Sequence, residues 1–254
     1  MSDADSAADP APPAAPAPLV QVDGLTFRYR RATEPAIHDL SLTIDAGEVV
    51  LVAGPSGCGK STLIRAINGL IPHAYPGELS GDVRINGAST SQLKLRDIAN
   101  TVGTVLQDPA KQIVGATVEA ELAFGPENLG VPRGEIRDRL RSVVTAAGIE
   151  ALAGRETSAL SGGERQLVAA AGILMLEPTL FVVDEPLANL DPGAAAGVAP
   201  LIGRASGVAR VLISHDVELG LAEADLVLGL RAGKPEIVAP RGDVSADDVR
   251  GLYR

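Results

Sequence analysis

Apolar positions in this chain alternate, or form short continuous runs, through the amino half, and fall at helical spacing in the middle. Leu25, Phe27 and Tyr29 alternate with Thr26 and Arg28, and Leu40, Leu42 and Ile44 alternate ahead of the turn Asp45-Ala46-Gly47. A period of two is that of a half-buried strand, which by itself assigns Tyr29 to the core. Val49 to Ala53 is apolar throughout, as a fully buried strand is, and Leu63 to Leu70 follows as a helix. Val83-Arg84-Ile85 ahead of Asn86-Gly87 predicts a short strand entering a hairpin turn. Val102 to Leu106 is a further short apolar run, ending at Gln107-Asp108-Pro109.

The period then changes. Val118 to Phe124 carries Glu119 and Glu121 where they suit a helix dipole, and Gly125-Pro126 is predicted to stop it. Ile136, Leu140, Val143, Val144 and Ala147 recur at helical spacing until Gly148. Ser161-Gly162-Gly163 opens another helix, through Gln166 to Leu176, that Pro178 stops. Thr179 to Val183, Val208 to Ile213, Leu226 to Leu230 and Glu236 to Ala239 are predicted strands. Strands around a helical insertion make an α/β protein, and no internal repeat or heptad array is present.

Composition narrows this picture. Residues Met1 to Pro18 are mostly Ala, Pro, Ser and Asp, with almost nothing to bury, and are predicted to be disordered. Residues 19–254 are predicted to form one domain, with a helical subdomain at about 95–165. An aromatic content of 2% argues against a site built from many stacked rings, and a net charge of -10 against broad nucleic-acid binding. The single cysteine, Cys58, excludes an internal disulfide framework and a cysteine zinc cluster. No apolar run has the length of a membrane span, and the amino terminus lacks the basic and apolar regions of a signal peptide. A cytoplasmic location is the expectation.

The chemistry begins at Gly54-Pro55-Ser56-Gly57-Cys58-Gly59-Lys60-Ser61-Thr62, between a predicted strand and a predicted helix. This is the P-loop pattern in the context it needs. Glycines let successive N–H groups curl inward onto phosphate oxygens, and the helix start adds its positive end. Lys60 reaches the terminal phosphates and the Ser61 hydroxyl offers a position to Mg²⁺. Cys58, inside the loop, is either a reactive thiol or a small residue at a variable position.

Two further stretches add to the loop. Leu180 to Val183 ends in Asp184 and Glu185; one carboxylate can hold Mg²⁺ and the other can orient or deprotonate a water. An acidic pair after a strand is commonplace by itself. Leu160-Ser161-Gly162-Gly163-Glu164-Arg165-Gln166 is more specific, because a capping serine and two glycines at a helix start form a second anion site. One nucleotide has no use for two distant cradles unless the second serves a neighbouring subunit.

With these motifs the chain resembles the ATP-binding subunits of ABC transporters over about Leu19 to Val238. Gly54–Thr62 is similar to Walker A, Leu160–Gln166 to the ABC signature and Leu180–Glu185 to Walker B. Gln107 falls at the Q-loop, Leu190-Asp191 at the D-loop and His215 at the switch histidine. Tyr29 stands where the family stacks a ring on adenine. The resemblance implies a P-loop NTPase (RecA-like) core, an amino-terminal antiparallel β subdomain and an inserted α-helical subdomain. It also implies ATP and Mg²⁺ as ligands and a head-to-tail dimer, with an identical chain or a paralogue. Glu185, His215 and Gln107 take the catalytic roles. Ser61, Gln107 and Asp184 surround the metal. Ser161, Gly162, Gly163, Glu164 and Asp191 face the partner's nucleotide.

A narrower resemblance lies in Gln107-Asp108-Pro109-Ala110-Lys111-Gln112, Thr117-Val118-Glu119 and Ala123 to Gly130. These are similar to the ATPases of energy-coupling factor transporters, including the cobalt and nickel group. That implies a transmembrane coupling protein and a substrate-binding membrane component as partners, on the inner face of the membrane. The alternatives are a conventional ABC importer or exporter and a soluble ABC ATPase of DNA repair or translation. Leu167, where many relatives carry arginine, and Leu228-Gly229-Leu230, without the acidic residue often found near that strand's end, depart from the pattern.

Overall fold

The computed structural model describes residues 17–105, 112–184, 208–214 and 216–254. The alternating amino-terminal segments become β1 (Val20–Tyr29) and β2 (Ile37–Ile44), and β3 (Val49–Ala53) leads to α1 (Lys60–Ile67) and the short α2 (Leu70–His73). A long β4 (Gly77–Ile85) and a two-residue β5 (Ala88–Ser89) follow, joined by Asn86 at φ 50 and Gly87 at φ 79. Positive φ at both central residues is what a tight hairpin between twisted strands requires. β4 starts well before the predicted Val83. Its first half carries no two-residue apolar period, and its pairing with β1, from Thr26 opposite Ser80 to Tyr29 opposite Gly77, makes it a strand. The antiparallel order is β2-β1-β4-β5.

After α3 (Leu95–Ala99) the chain enters β6 (Val102–Val105), and the helices α4 (Val118–Leu129), α5 (Arg133–Ala147) and α6 (Gly162–Leu174) lie between β6 and β7 (Leu180–Asp184). The described chain resumes with β8 (Ala209–Ile213), α7 (Val217–Glu223), β9 (Leu226–Arg231), β10 (Lys234–Pro240) and α8 (Ala246–Gly251). The second sheet has the order β10-β9-β3-β8-β7-β6, parallel from β9 to β6, with β10 antiparallel at its edge. Within the interval 95–165, β6 is therefore a strand of the main sheet.

Both faces of this sheet are covered, which accounts for the unbroken apolar run of β3. Val50 and Val52 pack with Leu63 and Ile67 of α1 and with the antiparallel sheet, whereas Leu51 and Ala53 pack with Leu221, Val249 and Leu252. β7 divides in the same way. Val182 joins the first core, and Phe181 and Val183 meet Val118, Leu122, Val168 and Ala171 of the helical layer. Among the described residues no helix is long and apolar enough to cross a membrane.

One predicted helix end is corrected. α4 does not stop at Gly125-Pro126; the Thr117 hydroxyl caps its start, accepting from the Ala120 N–H at 3.3 Å, and Gly130 at φ 79 ends it. Pro126 removes one intrahelical hydrogen bond. Gly125 is there for close approach, since a Cβ would lie 2.7 Å from Leu176 Cδ2. Packing on α6 carries the helix through both residues.

Candidate nucleotide-binding site

Parallel strands present their carboxyl ends on one side of the sheet, and the register fixes which residues meet there. Val52 of β3 and Asp184 of β7 both pair with Ile213 of β8, so β8 lies between the strand that enters the glycine-rich loop and the strand that ends in the acid. A cleft of about 630 Å³ opens at this edge, lined by Tyr29, Ala36, Ser56, Gly57, Gly59, Lys60, Ser61, Thr62, Arg65 and Asp184.

Three glycines set the loop. Gly54, Gly57 and Gly59 have φ of 139, 79 and 115, in the region that side chains disfavour. A Cβ on Gly54 would lie 2.1 Å from the Leu230 carbonyl oxygen, and one on Gly59 2.6 Å from that of Ala36. Cys58, donating its N–H to the Pro55 carbonyl at 3.2 Å, is buried, with Sγ 3.8 Å from Lys60 Nζ. It is a small packed residue of the loop. Lys60 Nζ donates to the Gly54 carbonyl at 2.6 Å and the Pro55 carbonyl at 3.0 Å, folded back over its own loop. Those weak neutral acceptors are ones that an anionic phosphate can replace.

Tyr29 belongs partly to the core and partly to the cleft. Its ring packs edge-on against Phe27 at 4.8 Å and 83°, yet it also lines the cleft. Its hydroxyl accepts from Arg65 Nη1 at 2.7 Å and lies 3.2 Å from Thr62 Oγ1. Arg65 also places its guanidinium 4.5 Å from the Tyr75 ring centroid, a cation–π distance. Sequence reasoning missed Arg65. The available signal was its spacing on α1, one helical turn beyond Ser61 and Thr62.

Ser61 and Asp184 both line this cleft, and hard oxygens of this kind suit Mg²⁺. Among the described residues no group of three or more His, Cys, Asp or Glu could hold a metal. Such a cation would share its shell with ligand oxygens, the usual habit of Mg²⁺.

Ser161, Gly162, Gly163 and Glu164 form the start of α6 and contribute nothing to the lining of this cleft. Ser161 Oγ accepts from the Glu164 N–H at 3.2 Å while Glu164 Oε2 accepts from the Ser161 N–H at 2.7 Å, a closed capping box. Arg155 Nη1 donates to the other Glu164 oxygen at 2.8 Å. The backbone N–H of Ser161, ahead of its side chain and Arg155, holds the Glu164 carboxyl below the ordinary range. Gln107, Glu185, Asp191 and His215 lie outside the described residues.

The two departures from pattern find places in the packing. Leu167 packs against the helical-layer core. Gly229 has the Leu252 side chain 2.8 Å and Ile237 3.0 Å from where a Cβ would be, so the strand is pinched between its neighbours.

The family model described as ABC transporter matches residues 37–188. A cobalt import ATP-binding protein CbiO from Syntrophus aciditrophicus is 39% identical over 89% of this chain and 81% of its own. The structure of cbiO1 from Clostridium perfringens, described as part of the ABC transporter complex cbiONQ, superposes with a TM-score of 0.78 at 29% identity, covering 92% of this chain and 94% of that one. The dimeric post-hydrolysis state of the ATP-binding cassette MJ0796, bound to ADP and Pi, gives 0.74 at 25% identity, covering 87% and 98%. Two Methanosarcina relatives, provisionally named as ABC transporter ATP-binding proteins, are 38% and 40% identical over 85% of this chain, which spans only 36% and 37% of their length.

Proposed function

The chain belongs to the ABC transporter family of ATP-binding proteins, and from that premise we propose that it is the ATP-hydrolysing subunit of a membrane importer of the energy-coupling factor type. The observation that carries the chemistry is the convergence of Lys60, Ser61, Asp184 and Tyr29 on one cleft. The loop amides and Lys60 hold the triphosphate, Tyr29 stacks on adenine, and Ser61, Asp184 and Gln107 hold Mg²⁺. When bound, that cation neutralises charge on the β- and γ-phosphates.

Glu185 polarises the attacking water, His215 contacts the γ-phosphate, and Gln107 links the site to the membrane partner. The signature turn from Ser161 to Glu164, which does not line its own cleft, serves the nucleotide of a second subunit, and Asp191 takes a role toward the same partner. Helices α4 to α6 are the helical subdomain of an ATPase domain spanning residues 19–254. Dimer closure on ATP and reopening after hydrolysis move the attached membrane subunits as rigid bodies. The narrower reading, import of a vitamin or of a transition-metal ion such as cobalt or nickel, is supported by the likeness to the two cobalt-transport proteins. It implies a transmembrane coupling protein and a substrate-binding membrane component, with this chain peripheral on the cytoplasmic face.

The deciding variant is Glu185→Gln, which should bind Mg-ATP but barely turn it over; normal turnover would remove Glu185 from its role. Mild-detergent purification from native membranes should recover a coupling protein and a substrate-binding component. Recovery of ordinary permeases, or of no membrane protein, would sink the energy-coupling factor reading.

A further inference from the structure

Gly54 opens the phosphate loop, and its backbone is held on three sides. The Leu230 carbonyl leaves no room for a side chain, at 2.1 Å from a hypothetical Cβ. Its own carbonyl accepts Lys60 Nζ at 2.6 Å, and its N–H donates to the Tyr253 hydroxyl at 3.1 Å. Tyr253 lies outside every nucleotide motif.

The tyrosine is itself fixed in place. Val249 and Leu252 are buried in the core that β3 and β9 share with α7 and α8. Arg231 of β9 donates to the Gly251 carbonyl, and Arg250 pairs with Glu218 of α7. Tyr253 is 39% exposed, so filling the core does not account for it. What it supplies to the loop is an acceptor for one particular N–H.

We propose that Tyr253 is a positioning residue of the nucleotide site, anchoring Gly54 when Lys60 lets go of it. In the structure Lys60 and Tyr253 hold Gly54 from its carbonyl and its N–H. When Lys60 turns to the phosphates, the carbonyl loses its partner and the hydroxyl becomes the remaining polar anchor of that residue. Loss of the hydroxyl therefore costs the occupied loop, whose Gly54 has no second polar tether, more than the loop that Lys60 also holds, and only such a difference between states changes affinity. The inference rests on the nucleotide reading of the cleft.

Tyr253→Phe keeps the ring and removes the acceptor. Titration with a fluorescent ATP analogue and Mg²⁺ should show the Kd about fivefold higher, the effect of one ordinary hydrogen bond. Steady-state assays should show KM for ATP rising with kcat little changed. Val144→Ala, which removes buried packing in the helical layer away from Tyr253, should lower Tm yet leave the Kd of the folded protein alone. An unchanged Kd in Tyr253→Phe, whatever its Tm, overturns the proposal, as does an equal rise in Val144→Ala. Failure of the unmodified protein to bind Mg-ATP would instead overturn the reading of the cleft, and the proposal with it.

Discussion

Arg65 donates to the Tyr29 hydroxyl at 2.7 Å, tying the first turns of α1 to the end of β1 across the mouth of the phosphate loop. The bond would serve the proposed adenine stack, because a stacking ring is useful only when its plane is already set. Arg65, seated over Tyr75, sets it from one side, and Phe27 from the other.

Replacing the ring should therefore cost more than unlocking it. Tyr29→Ala should raise the Mg-ATP Kd about tenfold, a typical value for a lost base–aromatic stack. Tyr29→Phe and Arg65→Ala should each raise it less. Calorimetric titration of the three variants would check the order, and wild-type affinity in Tyr29→Ala would remove adenine stacking from this residue.

Gly54 and Gly57 separate two kinds of glycine requirement. At Gly57 nothing lies within 4 Å of an added Cβ, so Gly57→Ala meets only the cost of φ 79, about 1–2 kcal/mol. At Gly54 the added carbon collides with backbone, and the loop must move. Gly57→Ala should lower Tm by a few degrees and still bind nucleotide. Gly54→Ala should lose binding, and retained binding would show that the strand β9 can yield.

Glu121 is buried, and its Oε2 accepts from the N–H groups of Val114 and Gly115 at 2.8 and 2.6 Å. Glu121→Ala strands both donors and should cost about 3 kcal/mol in denaturant unfolding, with Glu121→Gln costing less. Near-zero change in the alanine variant would mean that water replaces the carboxylate.

Acid should loosen the start of α6. The Glu164 carboxyl titrates below its ordinary value of 4.5 in the folded chain, chiefly through the Ser161 N–H. Its stabilisation is thus complete above that ordinary value and is lost as pH falls through the lowered one. Amide exchange at the first turn of α6 should accelerate over this acid window in the unmodified chain and change less with pH in Glu164→Gln. Equal pH dependence in both would exclude Glu164 as the titrating group.

The sequence by itself determined the parts whose physics is local. A loop of Gly54, Gly57 and Gly59 ahead of a helix specifies a phosphate cradle because φ preferences and helix starts depend on chain neighbours. Ser161 announces a helix cap for the same reason. The apolar run of β3 showed that both its faces are covered. What no neighbour in sequence encodes is pairing between distant segments. The insertion of β8 between β3 and β7, the first half of β4, and the passage of α4 through Pro126 all followed from tertiary contacts that outweighed weak local signals. The same holds for the site: Ala36 and Arg65 reach the cleft, and Tyr253 reaches Gly54, because the closing sheets and α8 carry them there. Those closures are long-range, and their free energy resides in packing that a one-dimensional pattern does not express.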